Sequence, residues 1–410
     1  MSTILLSTVG TVGDVLPFIR LGRALKARGH AVTLFTHSGH ADLVTAGGLP
    51  FVPMDTLEEF NQLIADGLTL NSPTGGVDAY RRNLLPKVQE NYQSFAAHAR
   101  PGETVFVAHY HARLAAHFSA EKFGAPFVLM MMTPSQPANL PLLEVLLRKL
   151  AGDELNRIRQ TLGLEPIDDW GRWLKSPDLS LTVWPEWLEP AGPHWPSPVA
   201  QPGFLIGDTT EGDIPPYAEA MLAANPAPVL VTGGTGVFVK SDYYLAALEG
   251  VRRAGRPGLL VSRVQTYVPD VLPDNFLRLD FLPYAKVLPR VGALIHHGGM
   301  GTCVQALMAG CPQLMMALGH DRPDNAVRFR KLGVAEFLPP TRWQPAAVAE
   351  ALHRLLDSPE VQQRCQALAQ RARQSDGLVA ACDAIESIAP QLPNQVSWPA
   401  VNSPEARVHG

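Results

Sequence analysis

Residues 295–313 read IHHGGMGTCVQALMAGCPQ. An apolar strand end, Ala293-Leu294-Ile295, runs into His296-His297, then into Gly298-Gly299-Met300-Gly301-Thr302 and a helix of small residues. A strand, a glycine turn and a helix N-terminus together make an anion site. Unpaired backbone N–H groups point outward there, and the helix dipole adds roughly half a positive charge. The glycines let a phosphate approach the backbone, Thr302 adds a hydroxyl and His297 a further donor. A second loop, Thr232-Gly233-Gly234-Thr235-Gly236, follows the strand-like PVLV and offers another set of N–H groups. Two such loops in one half of the chain suit a diphosphate better than a pair of tight turns. The N-terminal turn Gly10-Thr11-Val12-Gly13 lacks the GxGxxG spacing of dinucleotide folds, as do both later loops, and no GxxxxGK[ST] occurs.

Working outward, the cadence is strand, helix, strand. TILLSTVG is followed by VLPFIRLGRALKARGH, whose helical spacing stops at Gly29, and then by AVTLFTH. TVFVAH, ARLAAHFSAEKFG and PFVLMM repeat it, and PVLVTGGTG, DYYLAALEGVRRAG, PGLLVS, FLRLDF and GALIHH repeat it again. This alternation predicts an α/β fold of two doubly wound parallel sheets, with ligands in the crevice outside the strand C-termini. The Gly-, Pro- and acid-rich stretch 204–228 places the boundary near residue 212. The expected units are therefore 1–211 and 212–375, a helix at 376–389 packing back on the first domain, and a frayed tail at 390–410.

The chain has 410 residues, 46% of them hydrophobic and 18% charged, which suits two well-buried domains. A net charge of −4 with no basic run argues against a nucleic-acid partner. The four cysteines are scattered, without CxxC or His pairing, so free thiols in a reducing cytoplasm are expected and a metal site is not. MSTILLSTVGTVGD lacks a basic n-region, and no window reaches about 18 apolar residues, so no transmembrane segment is expected. The greasy stretch 126–150, broken by Pro134, Pro137 and Pro141, reads as a buried strand followed by an apolar loop and helix; peripheral membrane contact is its alternative use.

With these loops in view, the chain resembles the UDP-glycosyltransferase family, enzymes of two-domain GT-B fold that move a sugar from a nucleoside diphosphate. The resemblance runs through GTVGDVLPFIRLGRALKARGHAVT and FLPYAKVLP to HHGGMGTCVQALMAGCPQ and HDRPDNA. Within the family, WPEWLEPAGPHWPSPVAQPGFLIGD and HFSAEKFGAPF are most similar to the rhamnolipid rhamnosyltransferase branch of bacteria. The resemblance implies two Rossmann-like domains facing across a cleft. His297, Gly298, Gly299, Gly301 and Thr302 would bind the diphosphate, with Gly234 and Thr235 closing the other side. Phe281, with Pro283, would meet the nucleobase, and Gln305 stands where many relatives hold the ribose with Glu. A neutral Gln loosens any preference for UDP over dTDP. Asp321 matches the acid that grips the transferred sugar, while Arg322 replaces the usual Gln, which leaves rhamnose and glucose both open.

The family's general base corresponds to Asp14, at the cleft end of the first strand. A competing reading makes Asp14 the N-cap of a helix starting at Val15, and Asp321 that of a helix opening at Pro323. His111 or His109, from VAHYHA, is the second candidate base, and Met132 lies on the acceptor side. The expected activity is inverting transfer of a hexose from a dTDP- or UDP-sugar co-substrate to a small hydrophobic acceptor, with no cofactor and no metal. A non-catalytic nucleotide-sugar-binding subunit and a GT-B epimerase are the alternatives.

Overall fold

The computed structural model describes residues 1–66, 80–206, 212–234, 239–262 and 266–390. The first sheet has seven strands, β1 (Thr3–Ser7), β2 (Ala31–Thr36), β3 (Phe51–Pro53), β4 (Thr104–His109), β5 (Phe127–Met131), β6 (Leu179–Thr182) and β7 (Val199–Ala200). Their order is β3-β2-β1-β4-β5-β6-β7, and every pairing is parallel. A second sheet holds β8 (Val229–Thr232), β9 (Gly258–Val261), β10 (Phe276–Leu279), β11 (Ala293–His296), β12 (Gln313–Met316) and β13 (Ala335–Leu338). Its order is β10-β9-β8-β11-β12-β13, again all parallel.

Burial explains the strand sequences. β1, β4, β5, β8, β9, β11 and β12 are buried at every residue, because helices cover both faces of a parallel sheet. Such strands read as short apolar runs without alternation. In each sheet the order reverses once, between β1 and β4 and between β8 and β11. Crevices outside the strand C-termini open at these two switch points, and both glycine loops of the second half lie at its switch point.

The 126–150 stretch departs from the expected loop. After β5 the chain forms helices Ser135–Ala138 and Leu140–Leu146. Each proline sits where its fixed φ and missing N–H are tolerated: Pro134 just ahead of a helix, Pro141 inside its first turn. Leu140 and Leu147 face the core, whereas Leu142 is 57% exposed. Among the described residues, no helix is long and apolar enough to cross a membrane. The four cysteines are buried and unpaired.

The last described helix, Gly377–Ile388, packs on the first helix, Val12–Ala27. Arg28 bonds Asp383 at 2.6 Å and Glu386 at 2.7 Å, and Ala381, Cys382 and Ile385 are fully buried. Exposed ion pairs of this kind are worth under ~1 kcal/mol each, so the apolar seam dominates this attachment. Arg328, on the second sheet's side, pairs with Glu189 from the first, and Arg20 Nη1 donates to the Leu205 carbonyl at 3.2 Å.

Candidate active site

The two adjacent histidines have different jobs. His296 is fully buried; its Nε2 donates to Gln313 Oε1 at 3.1 Å and its Nδ1 accepts from the Gly298 N–H at 3.1 Å. Burial pushes its pKa down to about 4, so it is a neutral peg that shapes the turn. His297 points the other way, into the space between the loops. Its ring is wedged so tightly that a Cβ on Gly234 would stand 2.4 Å from Cε1, and one on Gly299 2.5 Å from Nε2. Burial, then the charges of Arg322 and His296, push its pKa well down, and Nδ1 is buried without a hydrogen-bond partner among the described residues.

An orphaned buried ring nitrogen carries a desolvation cost that a ligand atom can relieve. Beside it, Gly299 caps the helix Met300–Ala309, and a Cβ on Gly301 would enter open space. Thr302 is half-buried on the same first turn. Gly298, at φ +88°, lies against the Cβ of Arg322. Thr235 lies outside the described residues.

At the first sheet's switch point, the helix after β1 begins at Val12 with Thr11 as its N-cap residue. Asp14 is therefore not the N-cap of a helix starting at Val15; it occupies the third helical position and reaches back. Its Oδ2 accepts from the Thr11 N–H at 2.8 Å and the Thr11 hydroxyl at 3.1 Å, which leaves Oδ1 without a bond among the described residues. Gly10 makes this possible, since a Cβ there would lie 2.4 Å from Asp14 Oδ2. His40 steadies the turn by donating Nε2–H to the Gly10 carbonyl at 3.0 Å. Burial raises the Asp14 pKa, against the Thr11 bonds and the nearby His111 and His40. Half-buried with one open oxygen, it has the environment of a general base.

The second candidate base divides cleanly. His109 is buried with both nitrogens used: Nδ1–H donates to the Val9 carbonyl at 3.1 Å and Nε2 accepts from Gln136 Nε2 at 3.1 Å. Burial lowers its pKa to about 4, and no ring nitrogen is left for a substrate. His111 is open to the cleft yet walled by protein, which lowers its pKa, as does His109, while Asp14 opposes the fall. Met130 and Met131 are core residues, and Met132 is buried with its N–H bonded to Gln136 Oε1 at 2.7 Å.

From the second domain comes the loop after β12. Asp321 stands at the N-cap position of the helix Arg322–Lys331, one residue earlier than expected, but its side chain caps nothing. Asn325 Nδ2 donates instead to Asp321 Oδ2 at 2.7 Å and to the Gly298 carbonyl at 3.0 Å, tying the acid to the glycine turn. Burial raises the Asp321 pKa, and Asp14 adds to the rise. Asp14 lies within electrostatic reach of His320 and Arg322 as well. Arg322 is buried and donates Nη1–H to the Leu318 carbonyl at 3.0 Å. Phe281 is 47% exposed, Pro283 is buried, and Gln305 is half-buried on the helix of the glycine turn. Sequence reasoning gave no role to His40, Gln136, His320 or Asn325; for Asn325 the i,i+4 spacing from Asp321 was the available signal.

Two family models match, the glycosyltransferase family 28 N-terminal domain over residues 4–86 and the erythromycin biosynthesis protein CIII-like C-terminal domain over 262–376. The fold is that of the GT-B glycosyltransferases. The chain is 27% identical to O-mycaminosyltylonolide 6-deoxyallosyltransferase of Streptomyces fradiae, over 93% of this chain and 96% of that one. Its fold matches the glycotransferase of kitacinnamycin with a TM-score of 0.74 at 23% identity, covering 95% of this chain and 99% of the other. Glycosyltransferase VinC, solved with dTDP, superposes with a TM-score of 0.69 at 21% identity, over 94% and 99% of the two chains.

Proposed function

We propose that this glycosyltransferase moves a hexose, rhamnose or glucose, from a dTDP- or UDP-sugar to a hydroxyl of a small hydrophobic acceptor, with inversion at the anomeric carbon. One observation carries the reading. Asp14, with one open carboxylate oxygen, lies within electrostatic reach of Asp321, which Asn325 ties to the glycine turn after His297. The acceptor hydroxyl gives its proton to Asp14 as its oxygen bonds the anomeric carbon. The bond from that carbon to the diphosphate breaks, and its electron pair leaves with the phosphate. The orphaned His297 nitrogen, the N–H groups at Gly299–Gly301 and the Thr302 hydroxyl meet the developing charge, so no separate acid is needed. Attack from the Asp14 side, opposite the leaving group, gives inversion.

Asp321, steadied by Asn325, is suited to the sugar hydroxyls, and Arg322 beside it keeps both hexoses open. Phe281 offers an exposed ring for the base, with Pro283 two residues on, and Gln305 is the ribose-side residue. The dTDP of VinC and the neutral Gln305 support a dTDP-sugar as well as a UDP-sugar. The 6-deoxyallosyltransferase supports a natural-product acceptor, which would enter from the His111 and Met132 side. A cytoplasmic location and a division at 1–211, 212–375 and 376–389 belong to the same reading.

The test is a product assay. The native protein and Asp14→Asn are each given UDP-glucose, dTDP-glucose and dTDP-rhamnose with a panel of acceptors, 4-methylumbelliferone, a macrolactone alcohol and a hydrophobic primary alcohol. The expected product has the anomeric configuration opposite to the donor's, and Asp14→Asn forms little of it. Retention of configuration, undiminished turnover by Asp14→Asn, or no transfer by the native protein contradicts the reading.

A further inference from the structure

Two histidines, one from each strand beside β1, grip the chain where it leaves that strand. β2 and β4 flank β1 in the sheet. His109, the last residue of β4, donates Nδ1–H to the Val9 carbonyl at 3.1 Å. His40, in the turn after β2, donates Nε2–H to the Gly10 carbonyl at 3.0 Å. A carbonyl oxygen only accepts, so each of these ring nitrogens carries a proton. Both rings are buried, His109 at 1% and His40 at 6% exposure. His40 is itself held in place. Its ring makes a T-shaped contact with Phe60, centroids 5.1 Å apart, and its backbone N–H donates to the His37 carbonyl at 3.0 Å. Asp55 ties down the same turn by accepting from the Ser38 N–H at 2.7 Å and from His37 Nδ1–H.

The Gly10 carbonyl and the Thr11 N–H belong to one peptide unit. In a trans peptide these two groups point to opposite edges of a single plane. The plane after Gly10 takes His40 Nε2–H on its oxygen edge at 3.0 Å and gives its N–H to Asp14 Oδ2 at 2.8 Å. Gly10 cannot fix that plane by itself. It has φ +127°, and a Cβ there would lie 2.4 Å from Asp14 Oδ2, so the position is confined to the least restrained of residues. Restraint comes instead from the hydrogen bonds on the carbonyls. A donor on the carbonyl also polarises the peptide and strengthens the bond that its N–H makes.

We propose that His40 is a positioning residue for the base: by holding the Gly10–Thr11 peptide plane it aims the Thr11 N–H at Asp14 Oδ2 and leaves Oδ1 to take the acceptor's proton. This rests on the transferase reading above, with Asp14 as its base. His40 touches no substrate and neither gains nor loses a proton in the transfer. Without its bond the Thr11 N–H is less well aimed, and the ionised form of Asp14 loses part of its stabilisation. The pKa of Asp14 then rises, and the acid limb of the rate profile moves to higher pH. The other ionisable groups around the pair stay in place when His40 alone is changed. They are His37 and Asp55 beside His40, His111 just past β4, and His320, Asp321 and Arg322 from the loop after β12.

The test compares His40→Leu, which fills the space beside Phe60 without an N–H, with His40→Gln, whose side-chain amide keeps a donor near the place of Nε2. Each is assayed across pH with the donors and acceptors above, alone and combined with Asp14→Asn. Melting temperature and calorimetric affinity for dTDP and UDP are measured on each, so that a smaller folded fraction is not counted as a lower kcat. In His40→Leu, kcat is expected to fall at least fivefold and the acid limb to move to higher pH, with diphosphate affinity within twofold of native. His40→Gln returns the limb to the native position and recovers most of the rate. In the Asp14→Asn background, His40→Leu lowers the residual rate by less than twofold, because it acts only through the carboxylate. An unmoved limb in His40→Leu, equal rates in the two variants, or a full further loss in the Asp14→Asn background overturns the proposal. Should His40→Leu not fold, His40→Gln decides alone: a native limb supports the proposal and a displaced one overturns it. Undiminished turnover by Asp14→Asn, or a native protein that transfers to no member of the panel, sinks the transferase reading itself, and this proposal with it.

Discussion

His297 and Gly234 are in contact across the second sheet's switch point, where a Cβ on Gly234 would fall 2.4 Å from His297 Cε1 and 2.8 Å from its Nδ1. Gly234 also has φ +82°, so alanine there is both strained and in collision with the imidazole. Gly234→Ala is expected to fold and to lose dTDP and UDP affinity by about tenfold or more, a change of ~1.4 kcal/mol or greater. Calorimetric titration beside a melting curve checks it; unchanged affinity would mean that His297 does not meet the diphosphate.

Asp14 trades stability for reactivity. Burial raises its folded pKa above 3.8, so the folded chain holds that proton more tightly than the unfolded chain does. Its contribution to stability then falls as pH rises from 3.8 through the folded pKa, and is smallest at neutral pH. Asp14→Asn should melt higher than native at pH 7, with the gap closing below the carboxylate range, while kcat drops about 10²–10⁴-fold. Thermal melts across pH, paired with initial rates, check both halves.

The Thr11 hydroxyl bond works against that rise, since it stabilises the ionised carboxylate. A base must be deprotonated, so activity falls as pH drops through its pKa. Thr11→Ala should move the acid limb of the kcat/KM profile to higher pH, and Thr11→Ser should return it. An unmoved limb would separate that limb from Asp14.

Much of this was legible in the residues. The short apolar strands, the glycine loops and their helices give the two parallel sheets and their order of use. QLMM and AEFL, which became β12 and β13, were passed over although they are no shorter than β8, β9, β10 and β11. β12 is buried throughout, so it has no alternation to read. The start of the first helix was missed although Thr11 and Asp14 are spaced as a capping pair. The sequence reading gave His297 to the diphosphate but left His296 without a job. The partner that makes His296 structural is Gln313, on the neighbouring strand. His109 looked as reactive as His111 for the same reason, its partners being Val9 and Gln136.

Asn325 has no exposure and spans two parts of the site. Asn325→Ala would leave the Gly298 carbonyl unpaired and Asp321 unanchored, at a cost of about 1–3 kcal/mol in stability. In kinetics, the expected effect is a higher KM for the sugar nucleotide with a smaller change in affinity for the free diphosphate. Urea melts and donor-dependent rates measure the two effects, and an equal loss for both ligands would place Asn325 with the glycine turn alone.

The central claim is that the turn around His297 is a diphosphate cradle. Its most direct test is calorimetric titration of the native protein and His297→Ala with dTDP and with UDP. The account predicts saturable binding of at least one nucleotide by the native protein and a loss of at least about tenfold on removing the imidazole, ~1.4 kcal/mol. Equal affinity in the two proteins, or binding of neither nucleotide by the native one, would contradict it.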